Sequence, residues 1–290
     1  MSASRPGRRV VAEQVLVRGP GAAERDPVGA ARRRAILEIT LATGVPVVLL
    51  ALWQAASGLG WIDSRLYPSP THIVATGARM LAHGTLWGDI GHTTYRVLVG
   101  FAIGTAAGIV FGLAMGSVRL IRVALEPTLD ALYVVPKLAL LPIFLTIFGL
   151  GEGPKIALVA VTVFFFVWIS TMAAIIGVDE GYREAGRCFG ANRWQMFRHV
   201  LVPAALPQMF VAMRVAMGVA FLVIIAAEFI VGDSGLGYLI FESRTLFIND
   251  EMFVGIVVVA IEGVLFAELV RAVGRRVTRW APADDDRARG

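Results

Sequence analysis

Six apolar runs, near residues 35–57, 94–116, 122–148, 154–177, 207–232 and 252–274, constrain this chain more than any other feature. Each is long enough to cross a hydrocarbon layer of about 30 Å, at about 1.5 Å per helical residue. In lipid a backbone must satisfy its own polar groups, and a helix does so within one segment. The predicted class is therefore all-α: a polytopic membrane protein of six transmembrane helices. Hydrophobic residues make up 57% of the chain, above the roughly 45–50% apolar content of soluble domains. Residues 35–274 read as the membrane domain. Residues 1–34, rich in Arg, Gly, Pro and Ala, read as a flexible tail, and 275–290 as a second tail. The run Val15-Leu16-Val17 is too short for the apolar core of a secretory signal.

The net charge is +5, but the basic residues lie in tails and short loops rather than on one face of a folded domain. Membrane topology explains that pattern, and nucleic acid is not an expected partner. Arg32, Arg33, Arg34, Arg119, Arg122, Arg183, Arg187, Arg193, Arg198, Arg271, Arg275, Arg276 and Arg279 fall on one side of the six spans. Arg65, Arg79, Arg96, Lys155 and Arg244 fall on the other. The asymmetry puts both termini in the cytoplasm. Cys188 is the only cysteine, so no disulfide forms within the chain.

Between the first two spans, Ser69, Pro70 and Gly84 mark the start and stop of a short helix. Ile73, Val74, Met80 and Leu81 share its apolar side, which suits a helix lying along the membrane surface. The second span carries Gly100, Gly104, Gly108, Gly112 and Gly116 at a spacing of four. That ridge lets another backbone approach closely. It serves either packing within the bundle or a seam between two copies. The third run is interrupted by Pro127, Pro136 and Pro142, which a membrane helix tolerates where neighbours satisfy the freed carbonyls.

The inside loop 178–206 keeps a helical pattern. Asp179 can cap a first helix, and Gly190 offers the left-handed turn that ends it. Asn192 and Gln195 have capping-box spacing for a second helix, which carries Trp194 and Phe197 and is predicted to stop at Pro203. Two short capped helices make a protrusion suited to a partner's groove. An interfacial pair lying on lipid headgroups accounts for the same pattern.

The segment Glu184-Ala185-Gly186, Gly190 and Val200-Leu201-Val202-Pro203 resembles the EAA signature of binding-protein-dependent ABC importer permeases. The spacing, Glu184, Ala185, Gly190 and Pro203 match. Gly186 replaces an alanine, at up to about 1 kcal/mol of helix propensity, and Val200 and Val202 replace other aliphatics. The stretch from Pro136 to Pro142, then Phe148-Gly149-Leu150-Gly151-Glu152, Ala226-Ala227-Glu228 and Gly235-Leu236-Gly237-Tyr238, is similar to the branch that imports sulfonates, taurine, nitrate or bicarbonate.

The resemblance implies a MetI-like permease fold and a transport subunit that is not an enzyme. A second permease copy, forming a homodimer, would complete the pathway. Cytoplasmic ATPase subunits would grip the loop at Glu184, Ala185, Gly186, Arg187, Gly190, Trp194, Phe197 and Pro203. An extracytoplasmic substrate-binding protein would deliver the solute. This sequence shows no Gly-x-x-x-x-Gly-Lys-Ser/Thr loop, so no cofactor is expected on it, and ATP and Mg would belong to the partner ATPase.

Lys137, Arg214 and Glu228 fall within apolar spans, where charges are costly and commonly face a cavity or a partner. At about 22 Å and 31 Å from the inner surface, Lys137 and Glu228 share the outer half and are expected to be within pairing reach. With Pro136 and Arg214 they are candidate pathway residues, Lys137 being available to an anionic solute. The pair serves a purely structural role equally well, and Arg214 lies where it can snorkel. Broken helices and buried charges also occur in secondary transporters and channels. A membrane enzyme would have to use His72, His83, His92, Asp63 and Asp89, whose spacings match no metal motif.

Overall fold

The computed structural model describes residues 27–281 and divides between Trp61 and Ile62 into two compact units. The first holds α1 (Pro27–Gly58), which opens on a proline in the first helical turn, where no backbone donor is needed. The stretch 27–34, read from sequence as tail, is thus helical. The rest of that tail, and the end of the second one, lie outside the described residues.

The second unit contains α2 (Pro70–His83), α3 (Thr85–Ser117), α4 (Arg119–Val134), a single 3-10 turn (Lys137–Leu140), α5 (Leu141–Phe148) and α6 (Glu152–Ile176). It continues with α7 (Glu180–Cys188), α8 (Arg193–Val231), α9 (Leu236–Thr245) and α10 (Asn249–Val277). Every described element is helical. Five helices (α1 from Ile36, α3, α6, α8 and α10) are long and apolar enough to cross a membrane. A sixth span is formed only if α4 and α5 count together, and these are bent by 93°.

The bend departs from the continuous third span expected from sequence. Pro136 donates no hydrogen bond and drives Val135 out of helical geometry, to φ −62° and ψ 126°. The turn that follows is closed by Ala139 N donating to the Pro136 carbonyl, 3.0 Å. Pro142 then sits in the first turn of α5, where it costs nothing. The short helix α2 forms between Ser69 and Gly84 as expected and docks on the bundle. It buries Ile73, Thr76 and Met80, leaves Val74 71% exposed, and packs against α10, where Val254 approaches Gly77.

The core lies where α6 is held between α3 and α8. Val159, Val163 and Val167 of α6 are buried with Met209, Met213, Ala216, Ala220 and Ile224 of α8. On the other side of α6 the glycine ridge of α3 is filled. A β-carbon on Gly100, Gly104, Gly108, Gly112 or Gly116 would lie only 2.5–2.9 Å from the β-carbon of Val159, Val163, Val167, Thr171 or Ile175 respectively. The constant offset of 59 residues makes α3 and α6 parallel, with a β-branched row of one seated in the glycine groove of the other. β-Branched side chains have few rotamers to lose there. The ridge is therefore occupied within the chain, and the alternative of a glycine seam between copies does not apply to it.

Adding bulk to this contact should be destabilising. Gly104→Val places its β-carbon against Val163 and the Phe164 backbone nitrogen at 3.0 Å or less, an overpacking worth about 1–3 kcal/mol. Gly218→Ala, with nothing within 4 Å, should be neutral or stabilising by up to about 1 kcal/mol of helix propensity. Thermal unfolding of the detergent-solubilised protein reads both.

Candidate functional site

Two polar constructions stand at opposite ends of α6. At its C-terminal end, α7 forms a knob. Asp179 caps it by accepting from Gly181 N, 2.7 Å, and Gly190, at φ 74°, turns the chain away. Arg183 ties the knob to α6, its guanidinium donating to the carbonyls of Ile175 (2.8 Å) and Ile176 (3.4 Å) at the helix's open C-terminus. Asn192 and Gln195 form a complete capping box at 2.9 Å each way. Gly186 is buried against Met196, which closely approaches the place a β-carbon would occupy. Outward face Glu184, Ala185, Arg187 (paired with Glu180 at 3.0 Å) and Phe189, which is 90% exposed. Trp194 is also exposed and stacks on Phe197 with ring centroids 5.7 Å apart.

Pro203 does not end a short second helix as expected. Residues 193–231 run as one helix, with a π-turn over Met196–Leu201 in which Val202 N donates to the Phe197 carbonyl. The widened turn takes up the register just before the residue that cannot donate. The knob is thus one short helix braced on the base of a long one.

At the other end of α6 is a buried charge cluster centred on Arg96. Its guanidinium reaches Glu228 Oε1 (2.6 Å), the Ser234 carbonyl (2.7 Å) and Oγ (2.8 Å), and both carboxylate oxygens of Glu152. Thr93 Oγ donates to Glu228 and accepts from Leu236 N (2.8 Å). Gly237 N donates to Glu228 Oε2, 2.8 Å, and Gly235 N to Asp89, 2.9 Å. Gly235 holds φ 105°, and its missing β-carbon is the space that Arg96 and Glu228 occupy. Lys155 extends the cluster to Asp233 at 3.1 Å. That hydrogen bond holds the Asp233 carboxyl below the usual carboxylate range. Its share of stability is complete above that range and lost only as pH falls through the lowered value. The cluster fastens the loop 232–235 and the start of α9 to α3, α6 and α8 at once.

This arrangement replaces the expected Lys137–Glu228 pair. Glu228 is engaged by Arg96, and Lys137 folds back over the Pro136 break instead. Its ammonium donates to the carbonyls of Leu132 (3.0 Å), Tyr133 (2.7 Å) and Val135 (2.8 Å), 4.4 Å above the Phe165 ring. It caps carbonyls at the end of the helix that stops before the proline. Arg214 does not merely snorkel; it pairs with Glu268 of α10 at 2.6 Å. The outer histidines do not gather: His72 pairs with Asp250 and His92 with the Gly88 carbonyl. Sequence reasoning counted Arg96 with the outside segments, named Glu152 only within a motif, and overlooked Glu262, which is buried against Thr94 at 2.9 Å. The signal for Arg96 was present: it lies four residues before Gly100, one step along the same ridge.

A family described as "Binding-protein-dependent transport system inner membrane component" matches residues 104–279, the stretch that holds the glycine ridge from Gly104 onward, the Pro136 break, the knob and Glu228. The chain belongs to this family. It is a multi-pass inner-membrane permease of the ABC importer type, a transport component rather than an enzyme. The family decides against the secondary-transporter or channel reading. Among relatives of this permease, the "Putative aliphatic sulfonates transport permease protein SsuC" of Escherichia coli (strain K12) is 36% identical over 239 residues, covering 82% of this chain and 91% of that one. The taurine transport system permease protein TauC of the same organism is 31% identical, covering 84% and 90%. A solved amino acid ABC transporter "with histidines" shares the fold at a TM-score of 0.52 and 17% identity, over 70% of this chain and 98% of that one.

Two predictions follow from the charged groups. Arg96→Met leaves Glu228 buried without its cation, at about 3–5 kcal/mol. Glu228→Gln should cost less, because Glu152 still holds Arg96, so unfolding midpoints should fall most for Arg96→Met. Lys137→Met should lower stability, and in uptake assays change the amount of active protein rather than the KM for solute.

Proposed function

We propose that this permease, paired with a second copy of itself, forms the pathway of an ATP-driven importer for a small anionic solute of the sulfonate or taurine type. The names of the two relatives above support the solute class, and the Arg distribution supports cytoplasmic termini and a cytoplasmic knob. An extracytoplasmic binding protein would deliver the solute. ATPase subunits carrying ATP and Mg would grip α7 and the turn at Gly190, meeting Glu184, Ala185 and Arg187.

The observation that carries this reading is the bracing of the knob. A loop that only joined two spans would have no use for a capped helix bolted by Arg183 to the end of α6. A part that receives force needs both a rigid contact surface and a rigid attachment. Pro136, Lys137, Arg214 and Glu228 act on this view as supports of the spans around the pathway.

The test is uptake into vesicles containing the permease, its ATPase and its binding protein. Glu184→Arg, at an exposed position, should leave the yield of folded permease unchanged. Reversing a charge at the docking surface should cost at least about 2 kcal/mol of binding, so ATPase capture and ATP-dependent uptake should both drop tenfold or more. Full uptake by that variant, or uptake with no nucleotide present, would overturn the proposal.

A further inference from the structure

Beside the knob lies a groove of about 1100 Å³, lined at its edge by Arg187 of the knob and otherwise by residues that the proposed ATPase contact does not use. Its walls are Val110, Leu113 and Leu120 from the α3–α4 corner, and Met196, Phe197 and Leu201 from the base of α8. Its lining includes three arginines, Arg119, Arg187 and Arg193, and no acidic residue. Arg187 is already paired with Glu180. Arg119 and Arg193 are exposed, each at the first position of its helix. The α4 N-terminus opens there with no side-chain cap, which adds potential of the same sign.

The depth of the groove fits one chemistry. Arg119 follows directly on α3, the apolar span that ends at Ser117, and so marks the water boundary. Val110 lies about 10 Å further in along α3. Trp194, at the mouth, is the residue type that collects at this level of a bilayer. An apolar slot opening at a basic rim is complementary to a molecule with an acyl chain and a phosphate. It is a poor match for a small solute, which would leave most of the apolar wall unfilled.

We propose that this groove holds an anionic phospholipid, its phosphate between Arg119 and Arg193 and an acyl chain along Val110, Leu113, Phe197 and Leu201. The lipid would lie between the α3–α4 corner and the base of α8, next to the knob. The inference needs only that the chain resides in a bilayer, and so stands apart from the solute assignment.

The experiment uses the full permease in vesicles of brominated phosphatidylglycerol or brominated phosphatidylcholine. The fluorescence of Trp194 is taken as the difference between the native protein and Trp194→Phe. Two basic contacts predict roughly tenfold tighter occupancy by the anionic lipid in mixed vesicles. Arg119→Gln with Arg193→Gln should bring that ratio near one, and the double Lys variant should keep most of it, which separates loss of charge from loss of fold. Equal quenching by the two lipids would overturn the proposal. So would a preference that survives the double Gln variant. Absence of quenching by either lipid would assign the groove to a protein partner and overturn it as well.

Discussion

Lipid tails offer no hydrophobic incentive for two apolar helices to meet, so helices in a bilayer hold together by close contact and by polar bonds. The α3–α6 pair meets that constraint with five glycines facing four β-branched aliphatic or threonine positions and a fifth at Ile175, all at one offset. The backbones come near enough that a single methyl group on the ridge has nowhere to go. Close-packed surfaces of this kind exchange dispersion contact over their whole length, and a small gap forfeits much of it. The rest of the bundle is arranged around this rod, with α8 closing the opposite side of α6.

The same register explains why a charge can sit at the end of the ridge. One step beyond Gly100 and Val159, the pattern brings Arg96 level with Lys155. Two cations side by side in an apolar bundle would repel, and the chain answers with Glu152, Glu228 and Asp233 around them. Arg96 is wholly buried and uses its full donor fork on two carboxylates and the Ser234 backbone and hydroxyl. Such a cluster gains little over an apolar core in stability. What it gives is direction: each acceptor comes from a different segment, so only one relative placement of α3, α6, α8 and the 232–235 loop satisfies them all.

Much of this was legible in the sequence, and the failures have physical reasons. Apolar length and helix signals found the spans, the short α2, and the capped knob, because each depends on neighbours within a few residues. The glycine spacing identified a contact face. Finding its occupant needed the second observation that Val159, Val163, Val167, Thr171 and Ile175 repeat at the same interval. Arg96 was misplaced because the apolar run begins near 94, whereas the helix begins at Thr85 and its polar first turns are already inside the bundle. Lys137 was matched with Glu228 on depth alone. Depth ignores the nearer claim of three carbonyls at the Pro136 break, which a four-carbon side chain reaches without leaving its own turn.

The placement of the two polar constructions bears on how motion would travel. Glu152 and Lys155 anchor the first turn of α6 in the charge cluster, and the carbonyls of Ile175 and Ile176 anchor its last turn to Arg183 of the knob. The helix between them spans about 36 Å and is uninterrupted by proline after Pro154 in its opening turn. A push on α7 would therefore meet a stiff rod rather than a hinge. Because the glycine groove leaves no slack, α3 has to move with α6. Bending is cheap instead at Val135–Lys137, where the backbone bonds are already broken and a single ammonium spans the gap. The chain thus separates a rigid pair, tied at both ends, from a break held by one ammonium, and on the proposed reading the break is where a change of angle would cost least.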